Sequence, residues 1–98
     1  MNLLQETLND LKERGLCPEN VDFVTDGKVN MSWKDFVEVA NFDYDEDFGW
    51  HEINLGLRIV GDDWWLERRQ CDGYEWWEYK KKPNSHLHYG ECRIKEEG

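Results

Sequence analysis

The chain has 98 residues and a mass of 11.8 kDa, which suffices for one domain but excludes a two-domain enzyme with a cleft between its domains. Its 22 Asp and Glu outnumber its 12 Lys and Arg, so the formal net charge is -10 at pH 7. A charge of this sign excludes unaided binding to nucleic-acid phosphates or to anionic lipid, and basic surfaces are the expected partners.

The sequence has no stretch of the roughly 20 apolar residues that a membrane span requires. Its N-terminal segment lacks the basic and apolar regions of a secretory signal, so we expect a cytoplasmic protein with no membrane partner. Cys17, Cys71 and Cys92 are odd in number and widely spaced. This pattern favours reduced cysteines that serve as small packing residues over a disulfide framework.

Aromatic residues decide whether this highly charged chain folds. Charged residues make up 35% of the sequence, against about 25% in ordinary domains, and aliphatic residues are few. The six Trp and four Tyr can each bury about 150–250 Å². We therefore expect an ordered domain with an aromatic-rich core.

Two amphipathic helices are predicted in the first half of the chain. Leucines recur at helical spacing from Asn2 to Arg14, and Gly15 follows them as a C-terminal stop. Ser32 and Asp35 resemble a capping box, after which apolar residues again recur at helical spacing. The second helix is expected to be short.

Strands are predicted on either side of the second helix. Residues 21–25 and 28–31 flank Asp26-Gly27, a pair that favours a two-residue hairpin turn. From Glu52 to Val60, apolar residues alternate with polar or small ones, which predicts a half-buried strand.

A Trp-rich hairpin is predicted next. Residues 64–82 resemble two strands around a turn at Asp72-Gly73, and their pairing is expected to bring Trp64 and Trp65 near Trp76 and Trp77. A last strand is expected within residues 86–95. The predicted fold is a single α+β domain over residues 1–98, with an N-terminal helix, a short second helix and a mainly antiparallel sheet of about four to six strands.

The acidic side chains are concentrated in the middle of the chain. Seven acids and no Lys or Arg lie between Asp35 and Leu57. In an extended backbone, alternate carboxylates point to one side about 6.8 Å apart, and such a row resembles the phosphates of a nucleic acid. The expected partner-binding acids are Asp43, Asp45, Glu46, Asp47 and Glu52. The alternative interpretation is a solvated acidic face that only keeps the protein soluble.

Calcium is an alternative ligand for the same acids. Asp43, Asp45 and Asp47 match the first three ligand positions of an EF-hand loop. Phe48 stands where that loop requires Gly, and Asn54 stands where it requires a bidentate Glu. The pattern therefore does not predict an EF-hand, although a looser calcium site stays an alternative.

The C-terminal region carries residues with zinc-ligand chemistry. His86 and His88 would share one face of a strand, and Cys92 follows them, but no fourth ligand is evident. The sequence has no Gly-rich phosphate loop, nucleophile elbow or zinc-protease motif, and a Cys and His pair alone is not distinctive. We predict no catalytic residue, no metal and no cofactor.

The Trp doublets are the expected apolar anchors for a partner. Neighbouring residues on a strand face opposite ways, so one Trp of each doublet is expected in the core and the other at the surface. Trp is favoured at the centres of interfaces. The candidate anchors are Trp64, Trp65, Trp76 and Trp77.

The segment GDDWWLERRQCDGYEWWEYKKKP, residues 61–83, resembles a segment of small uncharacterised proteins carried by bacteriophages and prophages. Its W-W-L-E-R strand, D-G turn and E-W-W-E-Y strand carry the resemblance, which covers about residues 52–83. The resemblance implies a phage origin and no specific activity. Small acidic phage proteins are similar, as a class, to inhibitors of host defence systems, including anti-CRISPR proteins.

The leading prediction is a non-enzymatic, anti-CRISPR-like inhibitor that acts in the host cytoplasm. It would occupy the basic nucleic-acid groove of a host defence protein and would not bind nucleic acid itself. One alternative is a small structural or adaptor domain that could form a homodimer through the Trp-rich hairpin or the last strand. A further alternative is a calcium- or zinc-binding domain.

Overall fold

The structure is a computed structural model that describes residues 1–44 and 53–96. Its five strands form one antiparallel sheet in the order β2-β1-β3-β4-β5. The elements are α1 (Leu3–Glu13), a 3-10 turn (Pro18–Asn20), β1 (Val21–Thr25), β2 (Asn30–Met31), α2 (Trp33–Ala40), β3 (Arg58–Gly61), β4 (Trp64–Cys71) and β5 (Tyr74–Lys81). This architecture confirms the predicted α+β fold with an N-terminal helix.

Both predicted helices form, and their caps explain where they begin and end. The Asn2 side chain accepts a hydrogen bond from the Gln5 amide at 2.9 Å at the start of α1. The Ser32 hydroxyl accepts one from the Asp35 amide at 3.1 Å at the start of α2. Gly15 ends the first helix with a φ of 72°, a left-handed conformation that glycine adopts without strain.

The first hairpin forms with a longer connection than predicted. β1 pairs with β2 through Thr25 and Asn30, so four residues connect the strands where a two-residue turn was predicted. The Asp26 carboxylate accepts hydrogen bonds from the amides of Lys28 and Val29 at 2.8 and 2.9 Å. These bonds lower the pKa of Asp26 and stabilise the loop as an Asx turn.

The strand predicted from Glu52 to Val60 is wrong in its first half. β3 begins only at Arg58, because Asn54 organises a turn before it. The Asn54 side chain accepts a hydrogen bond from the Gly56 amide at 2.9 Å, and its carbonyl accepts one from Leu57 at 3.0 Å. Local bonds of this kind compete with a strand ladder, so the alternation of apolar residues there did not reflect a strand.

The Trp-rich hairpin forms around the predicted turn, but its Trp doublets do not meet. Asp72 and Gly73 have φ values of 51° and 86°, as a two-residue hairpin turn requires. Partners in such a hairpin lie at equal distances from the turn. Trp77 therefore lies opposite Arg68, and the predicted contact between the doublets is wrong.

The strand predicted within residues 86–95 does not form. The described residues after β5 contain no helix or strand. The large apolar side chains of this segment, Leu87, Tyr89 and Ile94, are 66%, 91% and 87% exposed. No apolar face is buried there that would hold a strand against the sheet.

The core lies between one face of the sheet and the two helices. Its most enclosed large side chains are Leu11, Val24, Phe36, Ile59 and Leu66. A Cβ atom on Gly61 would lie 2.1 Å from the Trp64 ring, so this close approach requires glycine. The prediction that the cysteines pack inside is wrong, because Cys17, Cys71 and Cys92 are all exposed and free.

A buried ionic cluster around Arg68 connects both halves of the described chain. The Arg68 guanidinium contacts Glu6 on α1 and Glu75 on β5, each at 3.1 Å. It also donates a hydrogen bond to the Tyr44 hydroxyl at 3.1 Å, and the Tyr44 hydroxyl in turn donates to Glu6. The Trp77 ring lies 4.8 Å from the guanidinium carbon and closes the other side.

The cluster shifts the pKa values of Tyr44 and Arg68. Burial and the hydrogen bond to Glu6 raise the pKa of Tyr44, so this phenol stays a neutral donor. Burial alone would lower the pKa of Arg68, but the charge of Glu6 and the bond to Tyr44 outweigh it and raise the pKa. Arg68 therefore stays charged, and two buried carboxylates depend on it.

Removal of the buried Arg68 charge should lower the free energy of unfolding more than removal of an exposed arginine charge does. We expect Arg68→Met to lower the free energy of unfolding by about 3–5 kcal/mol, because Glu6 and Glu75 would be left buried without a cation. Arg69→Met on the same strand is the matched control, since the Arg69–Glu78 pair is exposed and its loss should cost less than about 1 kcal/mol. Urea unfolding measures both, and equal losses would contradict the role of the cluster.

The carboxyl group of Asp10 should make stability depend on pH. Burial, together with the charges of Glu6 and Glu13, raises the pKa of Asp10 from 3.8 to about 6. The folded state therefore binds more protons than the unfolded state between about pH 4 and about pH 6, so the free energy of unfolding falls as the pH rises through this range.

Asp10→Asn removes this penalty. We expect it to raise the free energy of unfolding by about 1 kcal/mol at about pH 7.5, after allowance for solvent screening, and to change it little at about pH 4. Thermal or urea unfolding at both pH values measures the effect. The control is Asp22→Asn, at an exposed position on β1. A gain that is the same at both pH values, or the same in both variants, would contradict the assignment.

Candidate protein-binding surface

The two Trp doublets are divided between the core and the surface, as the strand alternation predicts. Trp64 and Trp77 are 5% and 4% exposed and face the helices. Trp76 is 40% exposed on the opposite face of the sheet, where Trp65 is half-buried. Of the four Trp expected to contact a partner, only Trp65 and Trp76 therefore reach the surface.

The outer face of the sheet, on which Trp65 and Trp76 lie, balances its own charges. Glu78 forms ion pairs with Arg69 and Lys80, both at 2.9 Å, and the contact with Lys80 lowers the pKa of Glu78 most. Glu67 accepts a hydrogen bond from the Trp65 indole at 2.9 Å and lies 3.7 Å from Arg58. This face carries aromatic surface without an excess of negative charge.

The acids on and after α2 carry uncompensated charge. Phe36 and Ala40 turn inward from this helix, and Asp35 and Glu38 are exposed. Asp43 is exposed just beyond its end. Within residues 1–44 and 53–96, none of these three acids forms an ion pair, and we call them the acidic face.

Backbone hydrogen bonds hold Asp43 in place. Asn2 and Asp43 form an isolated antiparallel bridge. On either side of it, the Leu3 amide donates to the Phe42 carbonyl at 3.1 Å, and the Tyr44 amide donates to the Met1 carbonyl at 2.8 Å. The buried Tyr44 side chain then anchors this segment in the Arg68 cluster, so Asp43 is directed to solvent from a fixed backbone.

The remaining acids of the predicted row lie outside the described residues. This holds for the expected partner-binding residues Asp45, Glu46, Asp47 and Glu52. The proposed spacing of about 6.8 Å between alternate carboxylates rests on the same segment and stays a prediction. Asp43 is the one member of the row for which the structure gives a position.

An apolar groove of about 360 Å³ opens beside the acidic face. It lies between α2, the loop that connects β1 to β2, and the turn before β3. Its main apolar lining residues are Val29, Met31, Phe36, Val39, Phe42 and Leu57. Sequence reasoning missed this groove, and no local signal could have found it, because its lining residues come from separate segments of the chain.

The described residues offer no metal site. No group of three His, Cys, Asp or Glu side chains comes together anywhere in residues 1–44 and 53–96. His86, His88 and Cys92 are therefore not gathered as the zinc alternative requires, since all three are described and exposed. The calcium alternative depends on Asp45 and Asp47 and so lies outside the described residues. Neither described helix is long and apolar enough to cross a membrane.

The two Trp of the second doublet should differ in what their loss costs. Trp77 donates a hydrogen bond from its indole to the Thr7 hydroxyl at 2.9 Å and covers Arg68. We expect Trp77→Ala to lower the free energy of unfolding by about 3–5 kcal/mol. Trp76→Ala removes an exposed ring and should cost less than about 1 kcal/mol. Urea unfolding followed by circular dichroism compares them, and similar losses would contradict the assignment of their faces.

Comparison with known proteins finds no match to this chain. No protein-family model, no curated protein and no solved structure matches the chain.

Proposed function

We propose that the protein is a non-enzymatic binding protein that docks its acidic face on the basic nucleic-acid groove of a partner protein. The observation that carries the proposal is the separation of paired and unpaired charges. Asp35, Glu38 and Asp43 are exposed and form no ion pair with any described residue. Lys34, on the same helix, also forms no ion pair with a described residue, so it does not neutralise them by direct contact.

The ion pairs of the described chain all involve the second half of the sheet. Their cations are Arg58, Arg68, Arg69, Lys80 and Lys81, which lie on β3, β4 and β5. Between Pro18 and Tyr44, in contrast, the described chain has six acids and only Lys28 and Lys34 as bases. The side of the molecule formed by β1, β2 and α2 therefore carries most of the negative potential.

This potential can guide a basic partner to the acidic face. Opposite charges attract over about 8–10 Å at physiological salt, which raises the association rate and disfavours acidic partners. Carboxylates on a fixed backbone can occupy the sites at which a basic groove holds phosphates. Binding of this kind displaces a nucleic acid without any catalytic step.

The partner class follows from the resemblance of residues 61–83 to phage and prophage proteins. A phage protein that blocks a nucleic-acid groove in the host cytoplasm is best explained as an inhibitor of a host defence nucleoprotein. CRISPR effectors hold guide RNA and target DNA in positively charged channels. We therefore propose an anti-CRISPR-like inhibitor as the specific form of this function.

A homodimeric adaptor is the second candidate, and the position of β5 favours it. β5 is an eight-residue strand at one edge of the sheet, and no other described strand pairs with its outer side. Such an edge can add a strand from another copy. This edge ends in three lysines, Lys80, Lys81 and Lys82. Lysines on an edge strand oppose its pairing with another copy. The inhibitor is the better-supported proposal for this reason.

The test uses purified CRISPR effector complexes, both single-protein and multi-subunit, each with a labelled target duplex. We expect the wild-type protein to prevent DNA binding by at least one of them. The triple variant Asp35→Asn, Glu38→Gln, Asp43→Asn should require an about tenfold higher concentration, because it lacks the attracting charges. The wild-type association rate should also fall when NaCl is raised from about 50 to about 300 mM.

A charge-matched control separates the acidic face from net charge. The variant Asp62→Asn, Glu91→Gln, Glu96→Gln also removes three exposed acids, but away from α2. It should inhibit like the wild type. The proposal fails if no effector loses its DNA, or if the two triple variants behave alike. A dimer that persists in high salt by light scattering, with no inhibition, would support the adaptor instead.

A further inference from the structure

We propose that the apolar groove beside the acidic face binds a basic amphipathic helix of the partner, which inserts apolar side chains there. This inference rests on the proposed function and adds what the partner must present. It is carried by three features of the groove: exposed apolar side chains, walls that are already held in place, and an acidic rim.

Three of the six exposed large apolar side chains in residues 1–44 and 53–81 line this groove. Val29, Val39 and Phe42 line it and are 69%, 60% and 43% exposed. They come from a loop, from α2 and from the segment after α2, so the fold alone brings them together. Apolar side chains gathered at the surface and rimmed by polar groups mark an interaction site.

The groove is formed before any ligand binds. Its floor consists of core side chains, since Val24, Phe36 and Ala40 are each at most 2% exposed. The Val29 carbonyl accepts a hydrogen bond from the Thr25 hydroxyl at 2.9 Å, which holds one wall. Because this wall is already ordered, binding loses less conformational entropy.

The second wall is held in the same way. The Phe42 amide donates to the Ala40 carbonyl at 2.9 Å, and its carbonyl accepts from the Leu3 amide at 3.1 Å. These bonds fix the backbone of Phe42 although its ring is partly exposed. Both walls therefore present apolar side chains from a fixed main chain.

The charges around the groove select the occupant. Asp26 lines it, and in the sequence Glu38 and Asp43 adjoin Val39 and Phe42, whereas Lys28 adjoins Val29, so acids outnumber bases at its rim. No Lys or Arg is found among its described lining residues. An acidic apolar segment would be repelled, whereas a segment with Lys or Arg beside its apolar residues would be attracted.

The size of the groove favours side chains from one face of a helix. A volume of about 360 Å³ lies at the low end of pockets that enclose small molecules, which span about 300–1,000 Å³. A helix lays residues at positions i, i+3, i+4 and i+7 into grooves of this type. Its remaining faces would then place basic residues near Asp26, Glu38 and Asp43.

The probe is a synthetic peptide of about 18 residues with Leu at helical spacing and Lys at the other positions, since shorter helices are marginal in water. Two control peptides match it, one with the same residues in scrambled order and one with Glu in place of Lys. Fluorescence anisotropy measures their binding. We expect the Leu–Lys helix to bind at least about tenfold more tightly than either control.

Two variants assign the binding to the groove. Val39→Ser with Phe42→Ser should weaken binding of the Leu–Lys helix by about tenfold, and Val29→Ser in the loop should weaken it in the same direction. Leu87→Ser with Tyr89→Ser is the control, because it also removes two exposed apolar side chains, here from the C-terminal segment. Circular dichroism before the binding measurement checks that each variant is folded. If the double variant does not fold, Val29→Ser alone tests whether the groove binds the helix.

The outcomes separate this inference from the proposed function. Equal binding of the scrambled peptide would mean attraction by charge alone and would overturn the groove as a binding site. Binding of the Glu peptide, or of a small apolar dye but no peptide, would also overturn it. In the DNA displacement assay, loss of inhibition in the acidic-face variant but not in Val39→Ser with Phe42→Ser would leave the proposed function in place and refute the groove. If neither variant changes inhibition, both proposals fail.

Discussion

The pairing of one buried arginine with two buried carboxylates is the constraint on which the rest of the fold depends. Arg68 is fully enclosed, and its charge is stabilised by Glu6, by Glu75 and by the Trp77 ring. Its Nε is buried without a hydrogen-bond partner within the described residues. The contacts with Glu6, Glu75 and the Trp77 ring therefore stabilise the buried charge. Because breaking such a pair leaves charges stranded in a low dielectric, α1, the segment at Tyr44 and the Trp-rich hairpin are bound into one unit. A small domain with few aliphatic residues gains from this cluster the specificity that its core alone would not supply.

The same cluster explains how the molecule separates its charges. Two acids are used to neutralise Arg68 inside, and the exposed arginines and lysines of β3 to β5 find acids across the sheet. The acids of α2 and Asp43 form no ion pair with any described residue, so their charge is available to a partner. Tyr44 connects the two regions, because its hydroxyl belongs to the cluster and its backbone lies next to Asp43. The buried contacts of Tyr44 therefore hold the backbone from which Asp43, a member of the acidic face, is directed to solvent.

Local signals in the sequence predicted both helices and both hairpins. They did not predict how these elements pack against one another. Asn2, Ser32 and Gly15 mark helix ends through bonds to nearby residues, so the sequence is sufficient to find them. The turn at Asp72-Gly73 also specifies the hairpin register, and counting from it shows that Trp77 must face Arg68. The alternation of Trp64, Leu66 and Arg68 on the inner face is visible in the sequence, but its buried partners Glu6 and Tyr44 are far away in the chain. The apolar groove is unpredictable for the same reason, since Val29, Val39 and Phe42 meet only after folding. The acids Asp45, Glu46, Asp47 and Glu52 remain a sequence-based prediction.

Charge and apolar surface would have different tasks in the proposed complex. Carboxylates that imitate phosphates attract every protein with a basic nucleic-acid groove, so charge alone cannot distinguish one such protein from another. Long-range attraction raises the association rate, whereas differences in affinity between related complexes arise mostly from dissociation rates. Apolar anchors buried at the centre of an interface are the usual source of slow dissociation. A groove beside the acidic face would thus make selectivity a property of Val29, Val39 and Phe42, while Asp35, Glu38 and Asp43 would determine how fast the partner arrives. In the proposed complex, this division would allow a chain with a net charge of -10 to inhibit one basic protein without remaining bound to other basic proteins.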